Sequence, residues 1–127
     1  DVVNDNSDDN SNKTLDIRRF PEKVSLKVLE DTITRDGATL VITDENEEPY
    51  GYGEDFVLEV KKGDFWEKVE SLPNTVWKSL AYVPNEEGVL TMKLNFKYVF
   101  GSLEDGIYRV VKTVQSVNIY SNEFEIK

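Results

Sequence analysis

The sequence predicts an all-β sandwich of seven to eight antiparallel strands, and three observations carry that expectation. Short alternations of apolar and polar residues recur from residue 24 onward, which gives each segment one buried face and one wet face. Turn residues separate these segments at intervals of about 8–15 residues, the spacing of sandwich strands. No segment carries a convincing apolar stripe of helical period. A small β-barrel produces the same periodicity, so period alone leaves the two architectures open.

The elements follow in order. Val24, Leu26 and Val28 alternate with Ser25 and Lys27. Asp36-Gly37 marks a turn before residues 38–43, a run rich in β-branched side chains suited to a pleated sheet. Residues 44–55 form a polar loop broken by Pro49, Gly51 and Gly53. Residues 56–61 and 65–69 flank Lys62-Gly63-Asp64, a hairpin signal because Gly supplies the positive φ of tight turns. Residues 71–85 hold Pro73 and Pro84 and read as a connection between sheets, with a short strand near residues 77–82. Residues 90–97 alternate without a fault and are expected as one strand. Residues 107–114 are dense in Val, Tyr and Thr, and residues 122–127 close the chain with Phe124 and Ile126 on one face.

Composition narrows the chemistry. The 127 residues suffice for one domain, and no apolar run approaches the ~20 residues that span a bilayer. A net charge of −10 argues against nucleic acid, whose phosphates are bound by clustered Lys and Arg. There is no Cys and no His. Disulfides, thiolate nucleophiles, zinc sites of nitrogen and sulfur ligands, and triads that need an imidazole are therefore excluded. Residues 1–14 are rich in Asp, Asn and Ser and cannot bury enough apolar surface to offset their ordering entropy. The folded domain is expected over residues 20–127, with residues 1–19 as an acidic, disordered linker. The chain begins at Asp1 without an initiator Met, which points to processing or cutting upstream and leaves any signal or lipid anchor unseen.

One local motif sharpens the fold. Glu104-Asp105-Gly106-Ile107-Tyr108 leads into a β-rich run, with Val110 two residues beyond the Tyr. This resembles the tyrosine corner of immunoglobulin-like sandwiches, in which the Tyr hydroxyl bonds back to the backbone just upstream. Glu104, Gly106 and Tyr108 are the structural residues this implies, and Val110 replaces the second Cys of antibody domains. Three wider blocks extend the likeness: Thr39-Leu40-Val41-Ile42, then Tyr52-Gly53-Glu54-Asp55-Phe56-Val57-Leu58-Glu59 running on to Trp66, and finally the stretch from Phe100 through Lys112 closed by Phe124-Glu125-Ile126. Over residues 24–127 this order is similar to bacterial immunoglobulin-like domains of surface and lipoprotein-type proteins. The resemblance implies a sandwich fold and a place outside the cytoplasm, at the cell surface or secreted. It implies no catalytic residues and no cofactor.

Two groups of residues are candidate ligand sites. The 44–55 loop offers five carboxylates before Asp55, together with Tyr50 and Tyr52, and such hard oxygen donors suit calcium or sugar hydroxyls. It lacks the D-x-D-x-D-G loop pattern, so no metal ligand set is named. Trp66 and Trp77 could form an aromatic platform for carbohydrate. Phe65 and Trp66 are strand neighbours and must point to opposite sides, so one of them is expected near the surface. Tyr50, Tyr52, Glu54, Asp55, Trp66 and Trp77 are therefore the candidate binding residues. The function expected is a non-catalytic structural or protein-interaction module of unknown protein partner, the alternative being a carbohydrate- or calcium-binding module. Any tie to a membrane would run through an anchor outside this sequence.

Overall fold

A computed structural model describes residues 23–127. The expected linker over residues 1–19 lies outside the described residues. Among the described residues eight strands form two antiparallel sheets: β1 Val24–Val28, β2 Gly37–Asp44, β3 Val57–Lys62, β4 Phe65–Lys68, β5 Val89–Asn95, β6 Gly106–Val114, β7 Val117–Tyr120 and β8 Phe124–Ile126. The smaller sheet has the order β1-β2-β5, and the larger has β4-β3-β6-β7 with β8 also paired to β6.

The alternation read from the sequence sets the inner faces. Val24, Leu26 and Val28 of β1, then Ala38, Leu40 and Ile42 of β2, face Leu58 of β3 and Tyr108 and Val110 of β6 across the core. Phe96 and Phe124 stack at 6.1 Å between ring centres, and Tyr108 continues the stack onto Phe124 at 6.2 Å. The β3–β4 hairpin closes on Gly63 at φ +63°, the sign its tight turn requires, with Lys62 opposite Phe65.

Three features depart from the sequence reading. The strand expected over residues 90–97 stops at Asn95, and Phe96–Phe100 forms a single helical turn, α1. The Asn95 side chain caps it by accepting from the Tyr98 N–H at 3.0 Å, and Gly101 ends it at φ +79°. Phe96 and Val99 are buried by this turn. Strand alternation would also send Phe96 inward, so the pattern up to that residue does not separate the two conformations. Second, no strand forms over residues 77–82; Tyr82 makes only an isolated bridge to Tyr52, each amide donating to the other's carbonyl at 2.8 Å. Third, β7 was not foreseen. The turn before it places Gln115 and Ser116 at φ 50° and 67°, a left-handed pair usually written with Asn and Gly.

A bulge separates β7 from β8. Val111 pairs with Tyr120 and Tyr108 with Phe124, so residues 121–123 oppose only residues 109–110 of β6. The bulge aims Asn122 at the other sheet, where its amide accepts from Val28 N–H at 2.7 Å and donates to Val28 C=O at 3.1 Å. One side-chain amide thus takes the place of a neighbouring strand at the end of edge strand β1.

Candidate functional site

Among the described residues two charged side chains are buried in the sandwich, and both serve the 44–55 loop. Asp44 ends β2 in the inward phase set by Ala38, Leu40 and Ile42, and is 1% exposed. Its Oδ1 accepts from the Asn46 backbone N–H at 3.0 Å and the Asn46 side chain at 2.8 Å. Its Oδ2 accepts from the Tyr50 N–H at 2.9 Å and the Tyr52 hydroxyl at 2.6 Å. Burial works to raise the Asp44 pKa, but the bonds from Tyr52, Tyr50 and Asn46 stabilise the anion and together hold it below the usual value. Burial, then the bond to Asp44, push the Tyr52 hydroxyl far above its ordinary pKa, so it stays a donor.

Lys112 holds the other end of the loop. It shares the inward phase of Tyr108, Val110 and Val114 on β6 and is 5% exposed. Its Nζ donates to Gly53 C=O at 2.7 Å and Asp55 C=O at 2.6 Å. Burial lowers its pKa, and the nearby Asp55 carboxylate opposes that shift. The loop is therefore closed over the end of the sandwich by an anion at its start and a cation at its finish.

The six candidate residues fall into three places. Tyr50, Tyr52 and Asp55 line a small cleft of about 150 Å³ with Lys112 and Gln115. The Tyr52 hydroxyl within it is committed to Asp44. Glu54 and Trp77 border a larger cleft of about 370 Å³ with Phe56, Tyr82, Tyr98 and one edge of β5. There Glu54 accepts from the Lys78 N–H at 3.2 Å and Trp77 packs 5.6 Å from the Phe56 ring. Trp66 lies apart, on the outer face of the larger sheet. Among the described residues no three His, Cys, Asp or Glu side chains come together as metal ligands would.

Trp66 belongs to a cluster that the sequence reading missed. The Arg109 guanidinium sits 4.3 Å from the Trp66 ring centre and 4.1 Å from that of Tyr120. Its Nε and one terminal nitrogen both reach Glu59 Oε1 at 2.7 Å. The register explains the meeting, since Glu59 faces Arg109 across β3–β6 and Tyr120 faces Val111 one step along. Tyr120 is 45% exposed, while Phe65, the neighbour of Trp66, is the more exposed of that pair at 63%. Strand phase could have placed Glu59, Trp66 and Arg109 on one face, but β7 was needed to add Tyr120.

Next to Arg109 but on the inner face of β6, Tyr108 donates its hydroxyl to the Glu104 carbonyl at 2.6 Å. Arg35, from the connection between β1 and β2, fixes the same corner by donating to Leu103 C=O at 2.6 Å and pairing with Asp105 at 2.7 Å. Two sheets ordered β1-β2-β5 and β4-β3-β6-β7, with a Tyr closing the corner before β6, define an immunoglobulin-like sandwich. The chain belongs to the bacterial Ig-like domain family, whose model matches residues 21–125. No curated protein matches the sequence.

Proposed function

We propose that this domain is a non-catalytic structural or protein-interaction module. It works outside the cytoplasm, at the cell surface or secreted, with attachment through a lipid anchor as one means of holding it there. The observation that carries the reading is the contrast between polar groups engaged inside the fold and an aromatic–arginine cluster on an outer sheet face. Asp44, Tyr52 and Lys112, which look most like chemistry, are engaged with the fold itself. The Trp66–Arg109–Tyr120 stack stands on an outer sheet face, and Trp, Tyr and Arg are the residue types that anchor protein interfaces. A sequence without His or Cys also lacks the imidazole and the thiol, the commonest general base and the most nucleophilic side chain.

A second reading, a carbohydrate-binding module, draws support from Trp77, Tyr82 and Tyr98 around one cleft. Thermal unfolding followed by tryptophan fluorescence separates the two. With excess calcium, and with a panel of soluble glycans, the interaction-module reading expects no change in midpoint. A reproducible rise of several degrees with one glycan or with calcium would replace it with the ligand-binding reading, because a ligand that binds only the folded state must stabilise it.

A further inference from the structure

Among the described residues the smaller sheet ends at β5, and none of them pairs with the outer edge of β5. Adjacent residues on a strand send their amides to opposite sides, and opposed antiparallel residues alternate between bonded and non-bonded pairs. Thr39 C=O accepts from Leu29 N–H on the β1 side, so Thr39 and its opposite residue Lys93 form a non-bonded pair. Lys93 therefore directs its N–H and C=O away from β2. Val89, four residues earlier in the same phase, does so visibly: both its amide groups are bonded to Asn85 on that outer side. Thr91, between them, must follow. No hydrogen bond from another described residue meets the outward amides of Thr91 and Lys93. In an immunoglobulin-like sandwich of this kind a further strand would sit here, but residues 75–83 stand off from β5 and leave the 370 Å³ cleft between.

We propose that this cleft receives an extended peptide segment of another protein, which adds to β5 as an antiparallel strand. The inference rests on the interaction-module reading and names a site for it. Backbone amides in a strand's alternating pattern are met by another strand, and a seam of this form is the recognised geometry of strand addition. Its walls suit alternate apolar side chains, since Phe56, Trp77, Leu90 and Val99 line the cleft. The charge distribution sets the occupant's polarity. Beyond the Val89 end lies a separate cleft, bordered by Val83 and Gly88, the chain neighbours of Tyr82 and Val89, and it bears Glu45, Glu47, Glu86 and Glu87. Lys93 stands toward the opposite end. An antiparallel segment finishes beside Val89, so the partner sequence is an apolar alternation followed by Lys or Arg at its C-terminal side.

The probe is a displayed library of random nine-residue peptides selected on the full chain, with the strongest binder then made synthetically. The expected binder has the apolar-then-basic pattern, and in NMR titration it shifts and protects the amides of Thr91 and Lys93. Thr91→Pro removes one outward N–H while leaving the β2–β5 ladder whole, a placement edge strands tolerate. It should weaken binding at least tenfold, whereas Thr91→Ala should stay within about twofold, the difference being one backbone donor. Should Thr91→Pro fail to fold, the same peptide methylated on its bonding amides must lose affinity for the unaltered chain by a like factor. Glu86→Lys with Glu87→Lys should weaken binding several-fold, most at low salt. A binder unaffected by these changes, or no selectable binder, overturns the strand-addition site. A binder that maps to Trp66, Arg109 and Tyr120 overturns it too, but leaves the interaction-module reading standing.

Discussion

The 44–55 loop and the outer face of the larger sheet both bring charge together, and they settle it differently. At the loop, Asp44 and Lys112 point inward, and every partner of Lys112 and two of those of Asp44 are backbone groups. On the sheet face Glu59 and Arg109 answer each other, and two aromatic rings cover the guanidinium. A buried charge on backbone amides fixes a chain path, and removing it leaves several polar groups without water or partner. A half-covered pair between side chains fixes little beyond itself. The comparison therefore predicts large stability effects at the loop and small ones on the face.

The largest loss is expected from Asp44→Ala. It removes the acceptor shared by the Tyr52 hydroxyl and the Tyr50 and Asn46 amides, and we expect about 4 kcal/mol of destabilisation in urea unfolding. The pH dependence carries the same signature. Because the folded-state pKa of Asp44 lies below its unfolded value, its stabilisation is present above the ordinary aspartate pKa and is lost as pH falls through the lowered one. The acid limb of the unfolding profile should flatten in Asp44→Asn. An unchanged limb would show that other carboxylates govern acid unfolding.

Lys112→Met comes next, at about 2–3 kcal/mol, since it leaves the Gly53 and Asp55 carbonyls unmet but also removes a buried charge. The slope with pH has the same sign as for Asp44 but lies at the alkaline end of the scale. A Lys pKa lowered on folding means that the unfolded chain binds the extra proton, so this group's contribution to stability rises with pH between the lowered value and the ordinary one. Subtracting the Lys112→Met profile from that of the unaltered protein should reveal this rise in the alkaline range. Tyr108→Phe should cost about 1 kcal/mol by losing the bond to Glu104 C=O, read as a shift in urea midpoint without a change in slope.

Much of this arrangement is legible in the residues, and what is not has identifiable causes. Both buried charges announce themselves by phase: Asp44 continues the inward set 38, 40, 42, and Lys112 lies between Val110 and Val114. Reading them as loop and surface charge follows composition rather than register. The corner at Tyr108 is readable because its bond spans only four residues. By contrast, α1 hides in a period-two run that buries Phe96 either way, and β7 follows a left-handed turn of Gln115 and Ser116 that carries no Gly or Asn to mark it. The 75–83 segment has the residues of a strand but bonds to Tyr52 and Tyr98 rather than to β5. Such choices are made by distant partners, and no local pattern records them.

A stability effect no larger than that of Tyr108→Phe should come from Arg109→Ala, and it tests the comparison most sharply. Losing the pair with Glu59 and two cation–π contacts should cost about 1 kcal/mol, a drop in Tm of about 4 °C. Glu59 keeps access to water when its partner goes, so no deep penalty follows from leaving its charge alone. A loss as large as that of Asp44→Ala would mean that the stack holds β7 against β6, making the face part of the scaffold. If instead the loss is small while binding of a protein partner falls tenfold or more, the guanidinium is held by Trp66 and Tyr120 in a pose that the partner reads. The side chain would then be ordered for contact rather than for folding, which is what separates an interface residue from a structural one.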